Sequence, residues 1–143
     1  MKIALHVTER VMFQWPVIYW IELVKKLTAA GHNLYALSDE DNVSHDSKNP
    51  LFHDRLHLSD DESRKVIAEC DAFIGPPLKY YRMAEELGVR TIGILTSTFK
   101  GEGVRTTTVC GGCLDHLDSK VDCNWGDEIC GYEVTPNDVI AAL

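Results

Sequence analysis

Four of the five cysteines fall within 21 positions, as Cys110, Cys113, Cys123 and Cys130. Their spacing is Cys-x2-Cys-x9-Cys-x6-Cys. A Cys-x-x-Cys pair sets two thiolates on one tight loop, a separation suited to two corners of a tetrahedral metal site. Gly111, Gly112 and Gly131 stand between or after the cysteines. At such positions the backbone can take positive φ and turn its amides toward sulfur. The chemistry this set supports is a four-cysteine knuckle over 110–130 that holds iron or zinc, since both metals accept tetrahedral thiolate. Two disulfides, or four unrelated thiols, are the alternatives that spacing leaves open. Four thiolates fill every coordination position, so the knuckle reads as a structural staple for the segment 101–131 rather than a reaction centre. His116 lies inside the segment and is a substitute ligand.

Fewer groups elsewhere suit chemistry. Thr8 offers a hydroxyl and Arg10 a guanidinium, both fitted to phosphate, although a solvated loop accounts for them equally well. Asp39 and Asp41 stand where a Rossmann-like unit places a ribose-binding acid; solvated acids in a polar loop are the plainer reading. The chain has no G-x-G-x-x-G and no Walker A pattern, so the usual dinucleotide and P-loop cradles are not expected. It also has no Gly-x-Ser-x-Gly elbow. The six histidines are scattered and read as structural or solvent-facing. Cys70 reads as a buried, inert thiol.

These groups need elements to position them. Lys2 to Val7 reads as a first strand. Trp15-Pro16 opens a helix with an apolar stripe of Trp20, Leu23, Val24 and Leu27, stopped by Gly31. Asn33 to Leu37 reads as a second strand, Ser38 to Pro50 as a loop, and Leu56-His57-Leu58 as a brief third strand. Ser59-Asp60-Asp61-Glu62 is a capping box for a helix that buries Val66, Ile67 and Cys70. A fourth strand follows at Ala72 to Gly75, then a helix with the stripe Tyr80, Met83, Ala84 and Leu87, closed by Gly88. Thr91 to Leu95 is a fifth strand. Thr135-Pro136-Asn137-Asp138 caps a last helix that turns Val139, Ile140 and Leu143 inward.

Strand and helix alternate throughout, which predicts an α/β fold: a Rossmann-like, doubly wound parallel sheet covered on both faces. Residues 1–143 read as one domain that includes the Cys-rich knuckle. Ligands of such sheets bind beyond the carboxyl ends of the strands. Here those ends carry Thr8 to Gln14, Ser38 to Asp41, Gly75 to Lys79, and Thr96 to Lys100 with Thr98 as the candidate contact. Composition is that of a soluble globular protein, 45% hydrophobic and 25% charged. A net charge of -8 disfavours nucleic acid and anionic membrane surfaces as partners. No signal peptide and no membrane span are apparent, so the expected location is cytoplasmic, where thiols stay reduced and a cysteine cluster leans toward metal.

Leu5-His6-Val7-Thr8-Glu9-Arg10, followed by Trp15-Pro16, Trp20 and Glu22-Leu23, resembles the start of the nucleotide-sugar-binding half of bacterial heptosyltransferases, glycosyltransferase family 9. Cys70 to Gly75 with Met83 to Gly88 is similar to that family's next strand and helix, and Val134-Thr135-Pro136 to its last helix start. The likeness spans most of the chain except Ser38 to Phe52. It implies a GT-B carboxyl-terminal domain that binds an ADP-sugar. The acceptor domain and its catalytic base belong to the family's other half, so glycosyl transfer would need a protein partner. A homo-oligomer or a non-catalytic scaffold derived from such an enzyme is the alternative. The family's Asp-(Ser/Thr)-Gly-x-x-His falls here on Pro77, Leu78, Lys79 and Arg82; its second threonine falls on Glu9 and its lysine on Phe13. Lys79 and Arg82 supply cations the family lacks at those positions. Thr8 survives among the donor contacts. Some family members carry an iron-holding four-cysteine finger near this end, which Cys110, Cys113, Cys123 and Cys130 resemble.

Overall fold

The computed structural model describes residues 1–7, 15, 17–38, 49–76, 78–95, 104–105 and 134–143. Among these, six strands form one parallel sheet: β1 (Lys2–His6), β2 (Asn33–Ser38), β3 (Phe52–Leu56), β4 (Ala72–Gly75), β5 (Arg90–Leu95) and β6 (Val104–Arg105). Their spatial order is β3-β2-β1-β4-β5-β6. Ile3 lies beside Leu34 on one side and Ala72 on the other, which makes β1 and β4 the centre of the sheet. Helices cover both faces, so the central strands are continuously apolar: Ile3, Ala4, Leu5, Ala72, Phe73 and Ile74 are all fully buried.

Helix α1 (Val17–Ala29) lays Trp20, Leu23, Val24 and Leu27 on the face formed by Ile3, Leu5, Leu34, Ile74 and Ile92. It stops at Gly31, φ +90, where the His32 amide donates to the Leu27 carbonyl at 3.1 Å and the Gly31 amide to the Thr28 carbonyl at 3.0 Å. That pair of bonds is a Schellman stop, and only glycine takes its left-handed residue without strain. Helix α4 (Pro136–Ala142) packs on the same face through Val139. Three tethers hold it: Lys26 Nζ donates to Asn137 Oδ1 at 2.7 Å, Arg90 Nη2 to the Ala142 carbonyl at 2.6 Å, and Trp15 Nε1 to the Val134 carbonyl at 2.7 Å. Its capping box is present, with the Asp138 carboxylate held below its ordinary value by the Thr135 backbone amide and then by the Thr135 hydroxyl.

The opposite face carries α2 (Asp60–Ala68) and α3 (Lys79–Glu86), packed through Ile67, Tyr80, Tyr81, Met83 and Ala84 onto Ala4, Leu37 and Phe73. Ser59 caps α2 by accepting from the Glu62 amide, and Glu62 reaches back, as the capping box predicts. No helix among the described residues is long and apolar enough to cross a membrane.

Four sequence expectations need correction or extension. The third strand is Phe52–Leu56, not Leu56 to Leu58. Among the described residues it is an edge strand that pairs with β2 alone, so Phe-His-Asp-Arg-Leu can keep exposed polar side chains and shows no apolar run. His57 turns the chain away at φ 58. Leu87, placed on the buried stripe of α3, is 40% exposed, because the helix ends at Glu86 and Gly88 reverses the backbone at φ 72. Val66 is only partly buried, while Ser63 takes the buried position on α2. A sixth strand at Val104–Arg105 pairs parallel with β5, inside a segment whose strand and helix signals are weak.

Cys70 is buried just after α2. Burial, and then the neighbouring Asp71 carboxylate, push its thiol up to about 11. Lys2 opposes this and Glu69 adds to it. A thiol so raised is roughly one part in a thousand thiolate at pH 8. Cys70 is therefore expected to escape maleimide labelling in the native protein and to label on unfolding in urea, with mass spectrometry of its peptide as the readout. Rapid native labelling of that peptide would contradict the packing described.

Candidate functional site

Strand order fixes where a ligand crevice can lie. From β1 the sheet grows through β2 and β3 on one side and through β4, β5 and β6 on the other. The connections therefore diverge at the β1–β4 boundary, the topological switch point, and the carboxyl ends of those two strands bound the crevice.

The end of β1 is His6, 4% exposed. Its ring meets Tyr80 edge to face, with centroids 4.6 Å apart. Tyr80 is the second residue of α3, so this contact sets the amino end of α3 against the end of β1. The end of β4 is Gly75. A Cβ there would stand 2.9 Å from His6 Cβ and 3.1 Å from the Phe73 ring, so the close approach of the two central strands depends on the missing side chain. Ser38 ends β2, is buried, and accepts through its carbonyl from the His57 amide at 2.8 Å.

After β4 the chain reads Pro76-Pro77-Leu78 and enters α3. Pro76 is buried, and its carbonyl accepts from the Leu78 amide at 2.8 Å. Leu78 is the N-cap of α3 and makes no side-chain capping bond. Lys79 stands at the rim. Its ammonium pairs with Asp60 Oδ1 at 3.2 Å and lies 5.1 Å from the centroid of the Tyr80 ring. Arg82 is exposed on the side of α3 opposite Tyr80, Met83 and Ala84, so its side chain leaves the helix away from the sheet.

Lys79 and Arg82 are thus placed on one helix, with Lys79 nearer the crevice. Thr8, Arg10, Asp39 and Thr98 lie outside the described residues, as do Cys110, Cys113, Cys123 and Cys130. Among the described residues no group of three or more His, Cys, Asp or Glu side chains is arranged to hold a metal ion. Sequence reasoning placed Gly75 in a strand-end loop without seeing its packing role, and missed His6, Tyr80 and Asp60 as parts of the site. The available signals were a polar residue closing an apolar strand, a glycine closing another, and an acid in a helix first turn. None of these is interpretable until strand order makes them neighbours.

By sequence the chain matches no family model and no curated protein. Solved structures do match. The E. coli ADP-heptose LPS heptosyltransferase II superposes with a TM-score of 0.72 at 11% identity, over 99% of this chain and 44% of that one. E. coli heptosyltransferase WaaC, with ADP-2-deoxy-2-fluoro heptose, gives 0.69 at 15% identity over 98% and 41%. TibC of enterotoxigenic E. coli, an iron-containing dodecameric glycosyltransferase, gives 0.73 at 16% identity over 99% and 43%. The chain spans less than half the length of each. Over that span it has the fold of a heptosyltransferase fragment, as the resemblance in its first strand–helix unit implied.

Proposed function

We propose that this chain is a nucleotide-sugar-binding domain of the heptosyltransferase kind, which holds an ADP-sugar at the β1–β4 crevice and takes part in glycosyl transfer only with a partner that supplies the acceptor side. The observation that carries this reading is the strand order, which opens a crevice at the switch point, in a fold shared with proteins solved with ADP-2-deoxy-2-fluoro heptose and ADP-D-β-D-heptose. Thr8, Arg10, Asp39, Lys79 and Thr98 are the proposed contacts, whereas Arg82, whose side chain leaves α3 away from the sheet, is set aside. Calorimetric titration with ADP and ADP-heptose at millimolar concentration is expected to give saturable heat and a thermal shift. Neither heat nor shift would overturn the reading.

A second reading, a non-catalytic interaction module or homo-oligomer, is favoured by Ile18 and Ile21, which are 67% and 48% exposed one turn apart on α1. Sedimentation velocity of the wild type and of Ile18→Asp separates the two. A monomer that binds ADP-sugar supports the first reading, whereas self-association lost in the variant supports the second.

The four thiols Cys110, Cys113, Cys123 and Cys130 are chemically fitted to iron or zinc, as a tetrathiolate with no open position. When bound, such a metal supplies cross-linking rather than reactivity. About one metal per chain is expected by elemental analysis, with visible absorption if it is ferric. Cys113→Ser is expected to lose metal and melt earlier; unchanged metal content and melting temperature would remove the staple.

A further inference from the structure

Among the described residues β3 is one edge of the sheet, and its outer side is partly closed by its own chain. The Leu34 amide donates to the Leu51 carbonyl at 2.8 Å, and the His57 amide to the Ser38 carbonyl at 2.8 Å. In the parallel ladder between these bonds, His53 and Arg55 turn their backbone groups to β2, and Phe52, Asp54 and Leu56 turn theirs outward. A row of outward amides and carbonyls is a template for another strand. Three of these six groups are engaged within the chain. The Phe52 amide donates to the Asn49 carbonyl at 3.0 Å, the Leu56 amide to Asp54 Oδ1 at 3.2 Å, and Arg55 Nη1 to the Asp54 carbonyl at 2.9 Å. Asn49 is itself anchored, because its Nδ2 donates to Thr28 Oγ1 on α1 at 3.0 Å. Arg55 is positioned by Tyr35, whose ring centroid lies 5.8 Å from the guanidinium carbon.

The apolar ends of β3 invite the pairing that these bonds obstruct. Two copies brought edge to edge about a two-fold axis normal to the sheet run antiparallel, with their outward residues opposite one another. Full overlap sets Phe52 against Leu56 of the second copy, an apolar pair, and Asp54 against Asp54 of the second copy. Like charges directly opposite in a ladder repel. We propose that Asp54 and Arg55 guard the β3 edge against strand addition by a second copy of this chain. Asp54 withholds the Leu56 amide and sets like charges at the centre of the ladder that would form. Arg55 withholds the Asp54 carbonyl. Assembly through Ile18 and Ile21, the second reading above, lies on α1 and is independent of this edge.

Sedimentation velocity and amide ¹H–¹⁵N spectra of the full chain test the guard, in an Ile18→Asp background that takes away the α1 route. Asp54→Ala is expected to double the sedimenting mass of that parent at high micromolar concentration, with concentration-dependent shifts of the Phe52, His53 and Leu56 amides. An unchanged mass, or association that leaves those amides unmoved, overturns the proposal. Asp54→Asn keeps an oxygen for the Leu56 amide and drops only the charge, so it is expected to associate about tenfold more weakly than Asp54→Ala. Equal association of the two variants overturns the capping role. Adding Leu56→Pro to Asp54→Ala removes the outward amide itself and is expected to restore the mass of the parent. A dimer that persists without that amide overturns pairing through β3. Asp54→Val, a stronger strand former that also lacks the carboxylate, is read by the same outcomes if thermal melting shows the Asp54→Ala chain unfolded.

Discussion

Truncation of Phe73 to alanine is expected to lower stability by about 3–5 kcal/mol. Phe73 is fully buried in the central strand β4, against α2 and α3, with its ring edge-on to Tyr81 at 6.5 Å between centroids. The loss combines the transfer free energy of the ring, the cavity it leaves and the aromatic pair, the last worth about 0.5–1.5 kcal/mol. Domains have about 5–15 kcal/mol in total, so the variant stays folded only if the rest of the packing is sound. Its melting temperature should fall by roughly 10 °C or more. Ile21→Ala, on the exposed side of α1, is the matched control and should shift stability by no more than about 0.5 kcal/mol. Urea denaturation of both variants checks the pair. A Phe73→Ala loss below about 1 kcal/mol would mean that the two-faced packing around β4 is wrong.

Much of this architecture was legible because its stop and start signals are local. Ser59 with Glu62 and Thr135 with Asp138 announce two helix starts, and Gly31 and Gly88 announce two stops. These devices depend on one or two residues each. The heptosyltransferase fold can therefore persist at 11–16% identity, as long as caps, stops and apolar periods remain. Where the period fails, so does the reading. Phe52–Leu56 has one paired edge and a half-exposed surface, so nothing in its five residues resembles the apolar runs of β1 or β4. Val104–Arg105 is too short for any period to appear.

The candidate site was legible in a different way. Alternation of strand and helix marks four loops at carboxyl ends, but it is blind to strand order. Only pairing of Ile3 with Ala72 and with Leu34 selects the β1 and β4 ends from the four. The polar residues chosen from sequence were chosen for what their side chains can do. The structure adds residues chosen by position: His6 because it ends β1 under Tyr80, and Asp60 because the start of α2 lies beside the start of α3. A motif comparison can find that Pro77 and Leu78 replace a polar turn. It cannot find that the Leu78 amide is consumed within that turn.

Gly75→Val is expected to be the most damaging single change at the crevice itself, costing about 1–3 kcal/mol through overpacking and abolishing any nucleotide heat seen with the wild type. Two neighbours stand in the way of a new Cβ: His6 Cβ at 2.9 Å, and Phe73 ring atoms at 3.1 and 3.2 Å. They differ in what they can yield. A ring can tilt about its own torsions, whereas a Cβ moves only with its backbone, and His6 is fixed in β1 between β2 and β4. His6 therefore decides the outcome. In a Phe73→Leu background, which removes the ring, Gly75→Ala should cost about what it costs in the wild type, with coupling within about 0.5 kcal/mol. If the cost disappears in that background, the ring was the obstacle, and the close approach of the β1 and β4 ends is not what shapes the crevice. If it persists, relief can come only by parting the two central strands, which should appear as amide shifts along β1 and β4 together.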